Sequence, residues 1–313
     1  MKKTKTLKNK NKMDKFTEHD LPSLSTAVLG ALELFTNVGL PKVRISNYKK
    51  PIIVGSGNAI VTAKLLYGDK DAIFADENNY KTALKRKPDG AIIFSASGEK
   101  HGAVIANFYK SKNLKTTLVT CNSDSSAGKI LGKKNVVVTN KNKEPYTYNT
   151  STYMGWIFAK TKEDPKKILT FINKKVAKQI KKSIAKYNGY LLVTPESFAL
   201  GNHLFEVKFI ELFARRVARD VKTFEELKHA ITVIPYNKEL CIQFGSGKVD
   251  FANDKIIIPL PPKAGPAAIM AIGYYVIGKI QEGKPQWFKQ NIEEYISRAN
   301  KKSFGKGLKV IVE

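Results

Sequence analysis

The sequence predicts an α/β protein built as two halves, each a parallel sheet flanked by helices. Three observations carry that expectation. Short, unbroken apolar runs alternate with helical stretches from Pro51 onward, the pattern of strands buried on both faces. The same alternation restarts at residue 189. A length of 313 residues suits two domains of roughly 150 residues each. The expected division is a disordered Lys-rich tail over 1–18, a first domain over 19–160, a helical connector over 161–188 and a second domain over 189–313.

In chain order, residues 1–15 hold seven Lys and one Asp with almost nothing apolar, which reads as a solvated tail. Leu24, Val28, Leu29, Leu32 and Leu34 recur at helical spacing over 20–36. Ile52–Val54 is a strand ending in Gly55-Ser56-Gly57-Asn58, and Ala59–Tyr67 a helix. Ala72–Phe74 and Gly90–Phe94 are strands, Ala103–Lys112 a helix, and Thr116–Thr120 and Asn135–Thr139 further strands. After Pro165, Ile168, Ile172, Val176, Ile180 and Ile184 fall every fourth residue, which predicts one long helix with a lysine face. Such a helix either packs on its own domain or lies on a membrane surface. In the second half, Tyr190–Thr194, Ile231–Ile234, Leu240–Phe244, Lys255–Pro259 and Leu308–Val312 read as strands, and Leu204–Ala218 and Pro266–Ile280 as helices.

Composition narrows the function classes. A 42% hydrophobic and 26% charged chain is globular rather than disordered or fibrous. The longest apolar stretch, Ala267–Ile280, is shorter than the roughly 18 residues of a membrane span and is interrupted by Lys279. The basic N-terminus lacks an apolar signal core, so secretion is not expected. Two cysteines, Cys121 and Cys241, make neither a disulfide scaffold nor a zinc site, which fits a reducing cytoplasm. The net charge of +27 allows a polyanion partner, but the excess is Lys rather than the bidentate Arg, so specific nucleic-acid binding is not expected.

In open parallel sheets a ligand sits beyond the carboxyl ends of the strands. The loops at those ends are small and rich in hydroxyls: Gly55-Ser56-Gly57-Asn58, Ser95-Ala96-Ser97-Gly98 and Asn122-Ser123-Asp124-Ser125-Ser126. Backbone N–H groups and Ser hydroxyls at helix starts suit a phosphate, and Lys100 and His101 add positive charge. One such loop reads as an ordinary turn; three at successive strand ends point to a phosphate site. No G-x-x-x-x-G-K-[ST] is present, and Gly55-Ser56-Gly57 lacks the third glycine of the dinucleotide fingerprint. Neither nucleotide hydrolysis nor a nicotinamide cofactor is expected, and no cofactor is called for.

The run Phe94-Ser95-Ala96-Ser97-Gly98-Glu99, followed by a helix, a strand and Thr120–Ser126, resembles the sugar isomerase (SIS) domain family. The resemblance covers residues 50–313 as two SIS-type halves. It implies a sugar phosphate held by Ser95, Ser97 and Gly98 of a Ser-x-Ser-Gly-x-Thr loop and by Gly55, Ser56, Gly57 and Asn58 of a preceding Gly-x-Gly loop. Lys100 stands where the family usually has Thr, and Asn58 where relatives often have Ser. The stretch Glu144–Thr152 resembles the family's loop before the next helix, which carries Thr150, Ser151 and Thr152 over as binding candidates.

Lys208-Phe209-Ile210-Glu211 on a helix, then Phe224-Glu225-Glu226-Leu227-Lys228-His229, is similar to the isomerase half of glucosamine-6-phosphate synthases. That similarity implies Glu211 as proton-shuttling base and His229 as ring-opening residue, with Lys208 one turn before Glu211. An aldose–ketose isomerisation needs such a set: one carboxylate to take and return a proton, a group titrating near neutrality, and a cation near the developing enediolate oxygen. It needs no metal. Ala230-Ile231 replaces the Gly-Pro that commonly follows the His. Archaeal-type phosphoglucose/phosphomannose isomerases use a similar Glu and His, so the similarity leaves the sugar open. Read without the resemblance, Lys208–Glu211 is an ordinary helix-surface pair. His203 is a further candidate, Arg215 and Arg216 are expected on solvent or a subunit interface, and either Lys306 or Lys309 takes the place of the family's C-terminal Lys. The first fifty residues hold no Cys and are too few for a glutaminase domain, so glutamine-dependent transfer is not expected. The resulting expectation is a phosphosugar isomerase or amino-sugar-phosphate deaminase, active as a homodimer. A non-catalytic phosphosugar sensor and a polyanion-binding protein are the alternatives.

Overall fold

The computed structural model describes residues 7–42, 48–230, 236–247, 249–302 and 307–313. Contacts group the chain into two compact units. The larger comprises residues up to 39, 142–151 and 163–313; the smaller comprises 40–141 and 152–162. The boundaries differ from the expected 19–160 and 189–313, because the first long helix packs with the second sheet's unit.

The smaller unit is a five-stranded parallel sheet. Its strands are β1 (Pro51–Gly55), β2 (Ile73–Ala75), β3 (Gly90–Phe94), β4 (Thr116–Thr120) and β5 (Val136–Val138), in the order β2-β1-β3-β4-β5. Ile52, Val54, Ala91, Ile93 and Leu118 are buried in a core with Ile105 and Tyr109. Three helices follow strands: α3 (Asn58–Tyr67), α4 (His101–Ser111) and α5 (Ser126–Leu131). The apolar runs were read correctly here because strands covered on both faces need every residue apolar.

The larger unit opens with α1 (Lys8–Lys15) and α2 (Leu24–Val38). Residues 8–15 are therefore a helix, where a disordered tail was expected. Met13 is fully buried and Phe16 is 1% exposed. Each fully buried apolar side chain contributes roughly 1.5–3 kcal/mol, enough to dock so short a helix. The Glu33 carboxylate of α2 fixes its start, accepting the Lys10 backbone N–H and the Asn9 amide, each at 2.7 Å. The short strand β6 (Glu144–Pro145) precedes α6 (Thr150–Thr161), which runs into the smaller unit at residue 152.

The expected long helix after Pro165 is broken. α7 (Pro165–Phe171) continues through a π turn (Ile172–Val176) into α8 (Ala177–Gln179), and Ile180 is extended. The second sheet is four-stranded and parallel, in the order β10-β9-β7-β8. Its strands are β7 (Gly189–Thr194), β8 (Ala218–Thr223), β9 (Glu239–Phe244) and β10 (Asp254–Ile258). The helix expected over 204–218 is α9 (Asn202–Phe213) and gives way to β8, followed by α10 (Phe224–Ala230). The strand expected at Ile231–Ile234 lies outside the described residues. α11 (Pro266–Gly283) is buried along most of its length, and α12 (Trp287–Asn300) follows it. The C-terminal strand is only β11 (Ile311–Val312), antiparallel to β6. Among the described residues, no helix is long and apolar enough to cross a membrane.

Candidate functional site

In the smaller unit, β1 and β3 end side by side, and their loops form a cavity. Gly57 takes a positive φ of 53° before α3 begins at Asn58. After β3, the Ser95 hydroxyl accepts the Gly98 N–H at 3.1 Å, and the Ser97 hydroxyl accepts the Glu99 N–H at 3.3 Å. Strand β4 and its loop brace the turn from below. The Cys121 N–H and the Thr120 hydroxyl both donate to the Ala96 carbonyl, and the Asn122 amide donates to the Ser97 carbonyl. Gly98 is required on two counts: its φ is +66°, and a Cβ there would lie 2.5 Å from the Cβ of Ser125. Ser125 is itself fixed, capping α5 through the Gly128 N–H.

The cavity measures about 220 Å³ and is lined by Gly55, Ser56, Ser95, Ser97, Lys100 and His101 among others. It is smaller than the roughly 300–1,000 Å³ of whole-ligand pockets and so suits one small polar group. Lys100 and His101 are exposed at its edge. Glu99 is engaged at the start of α5, where it accepts the N–H and the hydroxyl of Ser126. Asn58 is buried, and its Oδ1 has no partner among the described residues. Thr150, Ser151 and Thr152 are not offered to a ligand, since all three are buried. The Ser151 hydroxyl accepts the Asn142 N–H, and the Thr152 hydroxyl accepts from the Cys121 thiol at 3.5 Å.

In the larger unit, α9 places Lys208 and Glu211 on one face. The Lys208 side chain has no exposed surface, and the Glu211 side chain is 20% exposed. The Lys208 ammonium donates to Glu211 Oε2 and to the Thr147 carbonyl, each at 2.5 Å, and lies 5.5 Å above the centroid of the Tyr274 ring. Burial pushes the Glu211 carboxyl above its ordinary value, and the Lys208 charge pulls it partly back. Glu211 lines a cavity of about 560 Å³ with Thr147, Arg215, Trp287, Phe288 and Tyr295, so the carboxylate faces mainly apolar walls. Arg215 and Arg216, expected on solvent or an interface, are both exposed and also line this cavity, and the Arg216 guanidinium stacks 5.0 Å over the Trp287 ring.

The sequence reading missed the two groups that hold Lys208 in place. Thr147 and Asn149 both take left-handed backbone, with φ of 73° and 46°, in the turn that turns the Thr147 carbonyl onto Lys208. Glu144 pins the far end of that turn: its buried carboxylate accepts the N–H groups of Thr150 and Ser151 at 2.6 and 2.7 Å. Burial pushes the Glu144 carboxyl above its ordinary value as well. A backbone carbonyl leaves no signal in residue type. A carboxylate six residues before a Thr-Ser-Thr helix start was the one available clue.

His229 is exposed in the last turn of α10 and does not line the Glu211 cavity. The start of α10 is held by a reciprocal cap, Thr223 and Glu226 each accepting the other's backbone N–H. His203 is exposed, its Nδ1 3.2 Å from Glu206. Lys309 is exposed, and Lys306 lies outside the described residues. Among the described residues no cluster of His, Cys, Asp or Glu is arranged to hold a metal ion.

No family model matches the chain, and no curated protein matches it in sequence. Solved structures do match it in fold. A tagatose-6-phosphate ketose/aldose isomerase from Escherichia coli superposes with a TM-score of 0.54 at 11% identity, over 84% of this chain and 89% of that one. The C-terminal domain of glucosamine-fructose-6-phosphate aminotransferase from Francisella tularensis gives 0.56 at 13% identity, over 85% and 96%. A glucosamine-6-phosphate deaminase from Thermotoga maritima gives 0.51 at 12% identity, over 88% and 94%. With its two parallel sheets flanked by helices, the chain has the fold of the phosphosugar isomerases, as the sugar isomerase resemblance implied.

Proposed function

We propose that the chain is a phosphosugar aldose–ketose isomerase or an amino-sugar-phosphate deaminase. The observation that carries this reading is Glu211, a carboxylate raised by burial and held by a buried ammonium at the wall of a cavity. A base tuned upward toward the working pH is suited to taking a proton and giving it back. Glu211 would remove the proton from the carbon next to the carbonyl and return it to the neighbouring carbon of the enediol. Lys208, wholly buried, acts as a positioning residue for Glu211 rather than as a contact to the enediolate. The phosphate is assigned to Ser95, Ser97, Gly98 and the Gly55–Asn58 loop, with Lys100 as a nearby point charge. His229 is assigned to ring opening, and its exposure fits a residue that works in a second copy's site, which makes a cytoplasmic homodimer part of the reading. The fold neighbours that act on sugar phosphates support the substrate class.

The test is a melting screen with fructose 6-phosphate, glucose 6-phosphate, mannose 6-phosphate, glucosamine 6-phosphate and inorganic phosphate, followed by turnover of whichever sugar stabilises the chain most. Glu211→Gln is expected to lower turnover by about 10²–10⁴-fold, the usual worth of general acid–base catalysis, and to leave the stabilisation intact. Equal turnover in the variant would end the assignment. A sensor without turnover is the second reading, favoured by His229 lying off the Glu211 cavity. Stabilisation with no product on long incubation would select it.

A further inference from the structure

The two sheets share a connection rule that marks a second site. In the first sheet the chain leaves β1 for β2 on one side and then crosses to β3 on the other, so the strand order reverses between β1 and β3. The cavity assigned to phosphate lies there, between the ends of β1 and β3. In the second sheet the chain leaves β7 for β8 on one side and crosses to β9 on the other, so the order reverses between β7 and β9. Ligands in open α/β sheets bind in the crevice at such a reversal, beyond the carboxyl ends of the strands. A cavity of about 520 Å³ opens at that place, lined by Thr194, Glu196, Gln243, Ser246 and Phe224 among others. Its volume falls within the range of a complete small-ligand site.

Its chemistry differs from that of the first cavity. Glu196 is the one charged side chain among the described residues that line it. Its Oε1 is fixed by the Glu225 backbone N–H at 2.9 Å. Gln243 is buried and pinned on both ends, its amide donating to the Gly245 carbonyl and its oxygen accepting the Val249 N–H. Phe224 is 37% exposed, with the Lys228 ammonium, paired to Glu225, 5.2 Å from its ring centroid on one face, and Pro261, Pro262 and Leu260 complete the walls. A fixed carboxylate with no cation among the described lining residues disfavours a phosphate. It attracts an ammonium and accepts hydrogen bonds from hydroxyls. We infer that this crevice binds an unphosphorylated amino sugar, its ammonium on Glu196 and its ring against Phe224.

The experiment uses the full chain and D-glucosamine as probe, followed by calorimetry, with D-glucose as the neutral control. Saturable binding of one glucosamine per chain is expected, not displaced by inorganic phosphate or glucose 6-phosphate. Glu196→Gln should weaken glucosamine about tenfold, as for one charge-assisted hydrogen bond, and bring it level with glucose. Ser246→Trp and Ala264→Trp, each filling the crevice from its edge, should abolish binding without lowering the melting temperature. No saturable binding to the wild-type chain overturns the inference. So does binding that survives both tryptophan variants, or binding lost in Ser97→Trp, which would place the sugar in the smaller unit's cavity. These outcomes are independent of isomerase turnover, so the proposed reaction and this site can fail separately.

Discussion

The Lys208 ammonium lies 2.5 Å from both a carboxylate oxygen of Glu211 and the carbonyl of Thr147. It thereby ties the candidate base to a turn sixty-one residues earlier in the chain. A lysine with no exposed surface is costly to bury, and that cost is offset only if its hydrogen bonds are made. The pair therefore differs from the ordinary surface contact that its spacing alone suggests.

The pH dependence of turnover follows from that contact. Burial raises Glu211, and the Lys208 charge opposes the rise. In the proposed reaction the active form is the free carboxylate, so kcat/KM should climb with pH as Glu211 ionises. Lys208→Met removes the opposing charge, so the same limb should move to higher pH and turnover at neutral pH should fall. A pH–rate profile of the two proteins checks this. A lower rate with an unmoved limb would show that Lys208 does not tune Glu211.

Glu144 makes a prediction about stability. Its carboxylate is the partner of two buried N–H groups, on Thr150 and Ser151. Glu144→Ala should cost about 2–6 kcal/mol, at roughly 1–3 kcal/mol for each group left unpaired. Glu144→Gln, which keeps one acceptor, should cost less. Because the folded-state value of Glu144 is raised, the native chain holds a proton that the unfolded chain has lost. That contribution is full below the ordinary carboxylate value and disappears as pH rises through the raised one. The gap between wild type and Glu144→Gln should therefore narrow with rising pH, as denaturant titrations across the range would show.

Much of the fold was legible, and the misses share a cause. β1, β3 and β4 were read from runs such as Gly90–Phe94, in which every residue is buried. β8 has no counterpart in the sequence reading, whose helix ends at Ala218, because Ala-Arg-Asp-Val-Lys-Thr is an edge strand, with one face wet and charges along it. Residues 8–15 were read as a tail because their lysines outnumber the single buried Met13. The helix after Pro165 kept its apolar spacing past Ile180, yet the backbone turns there, since spacing does not report where a helix stops. At the site, the serine loops and the Lys-x-x-Glu spacing were visible in residue types. The Thr147 carbonyl, the Glu144 cap and the burial of Ser151 and Thr152 are products of tertiary packing.

Gly98 tests the phosphate loop. Gly98→Ala adds a methyl that meets the Cβ of the buried Ser125 at 2.5 Å in a backbone region that disfavours side chains. Since Ser125 is fixed by its cap on α5, the loop must move instead. The variant should lose most of its stabilisation by phosphate and sugar phosphates, read as the shift in Tm on adding ligand. Ser97→Ala, at an exposed position, should weaken the shift without lowering the Tm of the unliganded chain. An unchanged ligand shift in both variants would move the phosphate elsewhere.

His229 separates ring opening from proton transfer. It is exposed at the end of α10, so His229→Asn should change stability by no more than about 0.5 kcal/mol. If His229 opens the sugar ring, the variant should lose turnover of glucose 6-phosphate, which is almost wholly cyclic. It should keep turnover of erythrose 4-phosphate, whose phosphate on O4 prevents ring closure, because only the proton transfer proposed for Glu211 then remains. The ratio of the two rates, variant over wild type, is the measurement. Equal loss on both sugars would place His229 in a step common to both. No loss on either would leave ring opening to another group and return His229 to the surface it occupies.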